Sequence, residues 1–271
     1  MKKYIYDPPF DLLDIVDKFY IIEKFEDGGS DVLQKFPPFP HPVLMIHCGK
    51  KTGRYVFSDV FMDCSSVLSG ILTYFPLIDP FPETEIIGVH FTPEGLYRLL
   101  GVEMSKLKDV MTDGSTYFFE ISDIISALQE EKDHSAKLET VVSFIRSKNK
   151  DKKVPEVFRT LLRNLNQEKV FLSVNELAQK YDVSKKTIER YFLKFAGITP
   201  KTYLMTLRLN KVFEYIYSSP ESSMNEAITK CGYFDQAHFI KDFKKISGET
   251  PLSFFRNKSN TLAKVVYDLK D

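Results

Sequence analysis

An internal repeat in the C-terminal part of the chain constrains the fold more than any other sequence feature. Two segments, residues 184–200 and 235–251, carry similar residues at the same spacing. Each begins with a polar residue that can cap a helix, continues with an apolar i, i+4 pair and ends in Gly-x-Thr-Pro. The matched positions are Ser184, Ile188, Phe192, Lys194, Gly197, Thr199 and Pro200 in the first copy and Asp235, Phe239, Phe243, Lys245, Gly248, Thr250 and Pro251 in the second. This repetition indicates one small unit that is used twice.

Each copy, with the residues before it, predicts a helix-turn-helix unit. In the first unit, residues 174–181 form a supporting helix, Asp182 makes the turn, and Ser184 caps the second helix. We call this second helix of each unit the reading helix. The corresponding parts of the second unit are residues 224–231, Gly232 and Asp235, with a turn that is one residue longer.

The two units are joined by a continuous apolar pattern over residues 200–217, which predicts one long helix. Such a helix is on the order of 27 Å long. It could therefore hold the two reading helices about one DNA turn, roughly 34 Å, apart.

The apolar positions of the reading helices face inward, so their polar positions face outward. Lys and Arg suit guanine or phosphate, Gln suits adenine, Glu can accept from cytosine, and Ala can meet a thymine methyl group. Exposed charges on a helix are often only solvated, but two matched units in a basic region favour DNA binding. The predicted DNA-binding residues are Lys185, Lys186, Glu189, Arg190, Lys194, Gln236, Ala237, His238 and Lys241.

The distribution of charge separates two predicted domains. The chain has no net charge, yet residues 1–150 contain 16 Lys and Arg against 23 Asp and Glu, whereas residues 151–271 contain 21 against 14. Only the second part, the back half, is expected to bind a polyanion. The polar stretch at residues 147–153 predicts a linker, and residues 155–165 predict a helix that packs on the first unit rather than on the front half.

The front half, residues 1–150, predicts an α+β domain in which short strands come first and helices follow. Apolar or β-branched runs at residues 43–46, 54–61, 67–74 and 86–91 predict strands, the last of them buried on both faces. Thr92 is expected to cap a helix that begins at Pro93 and ends at Gly101. The fold class is therefore α+β followed by an all-α domain of two helix-turn-helix units joined by a long helix.

The front half contains no recognisable catalytic or metal-binding motif. His41, His47, Cys48 and His90 lack the spacing of metal ligands, so we expect no metal, no cofactor and no enzyme. An alkyl-transfer enzyme would need a Pro-Cys-His setting, which Cys48 and Cys64 lack. A group of aromatic residues forms either core or the lining of an effector pocket: Tyr20, Phe57, Phe61, Tyr74, Phe75 and Phe81.

The cellular location is predicted from cysteine usage and hydropathy. The three cysteines are odd in number and have no CxxC spacing, which is typical of a reducing cytoplasm. No run approaches the ~20 apolar residues of a membrane span, and the N-terminus has no signal-peptide core. We therefore expect a soluble cytoplasmic protein that does not bind membranes.

The stretch Gly232-Tyr-Phe-Asp-Gln-Ala-His-Phe-Ile-Lys-Asp-Phe-Lys-Lys-Ile-Ser-Gly-Glu-Thr-Pro251 resembles the signature of AraC/XylS-type bacterial transcription regulators. The resemblance covers roughly residues 155–258, with Ala227-Ile228 in place of the usual Ile-Ala. The front half is similar to an uncharacterised N-terminal domain found on some of these regulators, through residues 88–102 and Pro42-Val-Leu-Met-Ile.

This resemblance implies a sequence-specific DNA-binding transcription regulator, with RNA polymerase as a partner where it acts as an activator. It also implies a front half that senses a small-molecule effector or forms a homodimer. Two alternatives stay open, in which the DNA-binding module is fused to an enzyme or to a protein-docking domain. The sequence does not give the effector, the sign of regulation or the target operon.

Overall fold

The fold is described from a computed structural model. Most of the chain is covered. Of the aromatic residues named above as core or pocket lining, Phe81 and the side chain of Phe57 lie outside the described part. The described residues are 2–23, 33–49, 53–57, 60–78, 85–167, 172–219, 221–257, 263 and 267. Across them, an antiparallel β domain with three helices is followed by a wholly helical region, as the sequence predicts.

The front half contains two antiparallel sheets. A six-stranded sheet has the order β1-β2-β9-β4-β7-β10, and a four-stranded sheet has the order β3-β8-β5-β6. Strand β9 lies between β2 and β4 and is buried at every residue, which confirms the prediction that it is covered on both faces. The strands are β1 Lys3–Tyr6, β2 Val16–Ile22, β3 Gln34–Lys35, β4 Val43–His47, β5 Gly53–Phe57, β6 Val60–Cys64, β7 Ser66–Ser69, β8 Leu77–Ile78, β9 Ile86–Phe91 and β10 Met111–Asp113.

Two predicted strands have different bounds in the structure. The run at residues 54–61 is not one strand, because β5 and β6 pair with each other in an antiparallel hairpin. The run at residues 67–74 leaves the sheet after Ser69, and Asp109 accepts hydrogen bonds from the amide and the hydroxyl of Thr73 at 2.6 and 3.0 Å. These bonds hold Thr73 away from a strand partner.

The helices of the front half follow the strands. Helix α1 begins later than predicted, because Thr92 does not cap it: the Thr92 hydroxyl donates to the carbonyl of Asp14 at 3.1 Å, and Glu94 occupies the cap position. Gly101 ends α1 with φ of 72°, as expected. A 3-10 turn at Met104–Leu107 follows. The helices are α1 Gly95–Leu100, α2 Ile121–Glu130 and α3 His134–Lys148.

The back half contains the two predicted helix-turn-helix units. Ser184 and Asp235 cap the reading helices by accepting from the amides three residues ahead, and Asp182 and Gly232 take the left-handed conformation in the turns, with φ of 49° and 79°. The joining helix α7 has 19 residues. The helices are α4 Glu156–Gln167, α5 Val174–Lys180, α6 Lys185–Tyr191, α7 Pro200–Ser218, α8 Met224–Lys230, α9 Gln236–Ser247 and α10 Pro251–Arg256.

The cores of the two halves are continuous. Phe75 of the front half packs on Phe213, Phe243 and Phe254, with ring centroids 6.0, 5.5 and 5.3 Å away. The first unit has a separate apolar cluster, which also includes Ile71 of the front half. Each helix-turn-helix unit therefore shares a core with the front half.

The segment between the halves lies along α1. Arg98 pairs with Asp151 at 2.9 Å, and the ammonium of Lys150 donates to the carbonyl of Leu100 at 3.1 Å. Helix α4 packs on the first unit through Phe158, as predicted, but it also contacts the front half through an ion pair between Arg159 and Asp14. The expectation that α4 avoids the front half was therefore wrong.

Candidate nucleic-acid interface

The first reading helix presents a charged outer face. Its inner face is anchored by Ile188, which is completely buried. The predicted contact residues Lys185, Lys186, Glu189 and Arg190 are all exposed. The guanidinium of Arg190 lies 5.6 Å from the ring centroid of Tyr191, which orients the arginine along the helix surface.

The first reading helix ends in a π-helical turn, Phe192–Ala196, which contacts the front half. The predicted residue Lys194 is exposed in this turn, and its ammonium lies 5.4 Å from the Phe195 ring and 6.0 Å from the Tyr97 ring of α1. Gly197 follows with φ of 85°, and a Cβ there would come within 2.4 Å of the carbonyl oxygen of Met104. The end of this helix therefore touches the front half directly.

The second reading helix, α9, is regular over its whole length. Ala237 and Lys241 are exposed, as the sequence predicts. Gln236 is exposed too, and its amide hydrogen-bonds the side chain of Asn225 on the supporting helix. This bond holds the Gln236 amide at the helix N-terminus.

His238 differs from the other predicted contact residues, because it is half-buried. Its ring centroid lies 5.1 Å from that of Tyr233, and its Nε2 lies 3.6 Å from the carboxylate of Asp242, which also pairs with Arg208. The imidazole is therefore held against its own domain.

Three exposed apolar residues on or beside the reading helices were not among the predicted contacts. Leu193 is 42% exposed, Ile240 is 39% exposed, and Phe234 is 94% exposed. Aligning the two copies would have revealed the first two, because Leu193 corresponds to the outward residue Lys244 and Ile240 corresponds to the outward residue Glu189. No comparable signal exists for Phe234, which lies in the longer turn.

The front half holds an apolar cavity between its two sheets. Its volume is about 70 Å³, and the lining residues include Tyr20, Phe36, Phe39, Val43, Met45 and Met111. Of the aromatic residues named above as pocket or core, Tyr20 lines this cavity, Phe75 lies in the shared core, and Phe61 is 59% exposed.

The histidines and cysteines of the front half form no ion-binding group within the described residues. His41 and His90 hydrogen-bond each other at 2.9 Å, and His47 hydrogen-bonds the Tyr55 hydroxyl at 2.7 Å. Burial raises the pKa of the Cys48 thiol to about 12.

None of the helices in the described ranges is both long and apolar enough to cross a membrane.

Comparison with known proteins identifies both parts of the chain. Residues 177–257 match the family described as Helix-turn-helix domain, and residues 4–113 match a Domain of unknown function (DUF6597). The first match spans both reading helices and the helix that joins them. The back half therefore carries an AraC-type helix-turn-helix domain.

Several relatives of this chain are transcription regulators. It is 28% identical to the HTH-type transcriptional regulator ArgR of Pseudomonas aeruginosa over 48% of this chain and 44% of that protein. It is also 28% identical to the Msm operon regulatory protein of Streptococcus mutans over 33% of this chain and 32% of that protein. The chain thus spans less than half the length of either relative.

Among solved structures, ToxT of Vibrio cholerae is similar to this chain at 10% identity, with a TM-score of 0.49. The alignment covers 93% of this chain and 97% of ToxT. The C-terminal domain of AraT, a response regulator from Geobacillus stearothermophilus, is 23% identical with a TM-score of 0.36, over 40% of this chain and 89% of that chain.

Proposed function

We propose that this chain is a sequence-specific DNA-binding transcription regulator whose reading helices enter two successive major-groove segments. The observation that carries the proposal is a pair of capped helix-turn-helix units joined by one 19-residue helix. A helix of that length spans about 28 Å, which suits two groove segments roughly one helical turn of 34 Å apart.

The residues divide into two contact sets. Lys185, Lys186, Glu189 and Arg190 would contact one groove segment, with Arg190 suited to guanine. Gln236, Ala237, His238 and Lys241 would contact the next, with Gln236 suited to adenine and His238, held by its own domain, reaching at most a phosphate. Lys194, beside the front half, would contact phosphate only.

A binding titration of the full chain tests this function. Sites are first selected from genomic fragments, and affinity is then measured for a selected and a scrambled duplex over a range of salt concentrations. We expect tighter binding to the selected duplex and a log–log salt slope of about −0.9 for each phosphate contact. Binding that is indifferent to both sequence and salt would contradict the proposal.

We propose that the front half, residues 1–150, modulates this activity by binding a small apolar effector, whereas residues 151–271 form the DNA-binding domain. The cavity supports this because its wall also contacts the joining helix. The carbonyl of Pro38 accepts a hydrogen bond from the side chain of Asn210 at 2.6 Å, and Pro38 also lines the cavity. A ligand that displaces Pro38 would therefore displace α7.

The lining suggests the chemistry of the effector. Aliphatic, aromatic and thioether side chains dominate, and the imidazole of His41 supplies a polar group. We expect a mostly apolar molecule with one polar group. In this proposal the protein is cytoplasmic, contacts RNA polymerase when it activates transcription, and is not an enzyme. Burial raises the pKa of the Cys48 and Cys64 thiols to about 12, which argues against the alkyl-transfer alternative because that chemistry needs a reactive thiol.

Thermal shift of the full chain against a metabolite panel tests effector binding. Met45→Trp, which fills the cavity, should abolish any stabilisation by a ligand, whereas Phe119→Trp at an 83% exposed position should not. A concentration-dependent dimer in sizing chromatography without any ligand response would favour the dimerising front half instead. Turnover of a panel compound would favour the enzyme fusion.

A further inference from the structure

The longer turn of the second unit contains an inserted residue. In the first unit, the amides of Asp182 and Val183 donate to the carbonyls of Gln179 and Ala178, and the cap residue follows directly. In the second unit, Gly232 and Tyr233 make the same two bonds with the carbonyls of Thr229 and Ile228. Phe234 comes next, ahead of the cap residue Asp235, so it has no counterpart in the first unit.

The inserted residue is an exposed phenylalanine. Its side chain is 94% exposed, whereas the ring of the preceding Tyr233 is buried. Single exposed apolar residues are common on protein surfaces, so it is the position of Phe234 in the turn that matters. Because Phe234 immediately precedes the cap of α9, it lies at the helix end that contacts base edges in helix-turn-helix proteins.

Two further exposed apolar residues lie on the outer face of α9. Ala237 and Ile240 are three residues apart and both exposed, so they share one face of the helix. Their counterparts in the first reading helix are Lys186 and Glu189, which are charged. The two reading helices therefore differ in the chemistry of equivalent outward positions.

The occupant that fits this surface is the edge of a DNA base pair. Lys241 and Lys244, both exposed, flank the apolar residues on the same helix and would hold phosphate or guanine. The apolar group that the major groove offers is the 5-methyl of thymine. An exposed apolar patch framed by lysines on a reading helix therefore fits a thymine-containing step.

We infer that Phe234, Ala237 and Ile240 form a thymine-selective contact surface, which rests on the proposed DNA-binding function. The second reading helix recognises thymine through its 5-methyl group. The first reading helix, with Lys186 and Glu189 at the equivalent positions, does not. The two halves of the DNA site thus differ in their need for thymine methyl groups.

Replacing thymine by uracil tests this inference, because uracil lacks the methyl group and keeps the hydrogen-bonding edge. The full chain is titrated against its selected duplex with each thymine replaced in turn. One or two replacements in the half-site of the second reading helix should weaken binding about fourfold each, which corresponds to about 0.8 kcal/mol for one methyl group removed from water. Replacements in the other half-site should change little.

The variants Phe234→Ser and Ile240→Thr should bind the thymine and uracil duplexes equally. Both positions are at least a third exposed, so the fold is preserved. Phe119→Ser, an exposed phenylalanine of the front half, is the matched control and should keep the parent's response.

Two results overturn the inference in different ways. If the parent binds its site selectively but ignores uracil, or if Phe234→Ser keeps the parent's response, the surface does not recognise thymine although the DNA-binding function stands. If no duplex is bound selectively, the proposed function fails and the thymine surface fails with it.

Discussion

The backbone amide of Phe75 donates a hydrogen bond of 3.2 Å to the carbonyl of Ile246, the next-to-last residue of the second reading helix. The carbonyl of Ser247 accepts from the ammonium of Lys35 at 3.0 Å. The last carbonyls of a helix lack intrahelical partners, and a cation there is favourable. Donors from the front half therefore complete the C-terminal end of α9, so the orientation of this reading helix depends on the front half.

Phe75→Ala should destabilise the chain strongly. The ring is 6% exposed and packs on three phenylalanines of the back half, so its removal leaves a cavity. We expect a loss of about 3–5 kcal/mol in the free energy of unfolding, measured by urea titration. Phe119→Ala, at an 83% exposed site, should stay within about 0.5 kcal/mol of the parent. Similar values for the two variants would contradict the shared core.

The two repeat glycines offer a matched test of the contact between Met104 and the first unit. Gly197 and Gly248 both have positive φ, at 85° and 77°, so alanine is strained at either site. Only at Gly197 would the new Cβ meet a backbone oxygen, that of Met104, whereas Gly248 has nothing within 4 Å.

Gly248→Ala should therefore lower the free energy of unfolding by about 1–2 kcal/mol. Gly197→Ala should cost a further 1–3 kcal/mol or so, because the two halves must also move apart. Urea titrations of both variants check the difference. Equal losses would mean that the front half does not press on the first reading helix.

The sequence predicts the back half better than the front half for a physical reason. Caps and turns are local, so Ser184, Asp235 and Gly232 could be assigned from a few neighbouring residues. Strands β1 and β2 were not predicted, and β2 pairs with the distant strand β9, a contact that has no local signal. The hydrogen bond between Asn210 and Pro38, which links the halves, has no local signal either.

The same distinction applies to the candidate interface. Helical periodicity is sufficient to place Lys186, Arg190 and Lys241 on outward faces, and the structure agrees. It is not sufficient for His238, whose ring is held by Tyr233 and Asp242, because that contact depends on where the turn places the tyrosine.

Glu94→Gln should change how stability depends on pH. Burial raises the pKa of Glu94 to about 7, and the nearby Arg159 guanidinium opposes this only in part. Between pH 4.5 and 7 the native state binds a proton that the unfolded state has released, so the free energy of unfolding falls as the pH rises. This contribution is complete below pH 4.5 and is lost above pH 7.

Glutamine does not titrate, so the free energy of unfolding of Glu94→Gln lacks this fall with rising pH. The free energy of unfolding of this variant, measured relative to the parent, should rise by on the order of 2 kcal/mol between pH 5 and pH 8, since one pKa unit corresponds to about 1.36 kcal/mol. Urea titrations at both pH values measure this. Glu139→Gln, at an exposed position of α3, controls for the loss of one negative charge. A constant difference between Glu94→Gln and the parent would show that Glu94 does not titrate in this range.

Arg190→Ala and Lys194→Ala should weaken DNA binding in different ways. Arg190 is exposed on the regular part of the first reading helix, where its guanidinium can form two hydrogen bonds with guanine. Its truncation should reduce the free energy of binding to the selected duplex by about 1–3 kcal/mol and relax the choice of base at one position. The salt dependence should change little.

Lys194 lies in the π-helical turn next to Tyr97, so its ammonium is restricted to the edge of the interface. Its truncation should weaken binding to the selected and the scrambled duplex alike. It should also reduce the salt slope of binding by about 1, as expected for one lost phosphate contact. Titrations of both variants against a set of single-base changes at two salt concentrations separate the roles. If Arg190→Ala kept the parent's selectivity at every base pair, α6 would not be the element that recognises sequence.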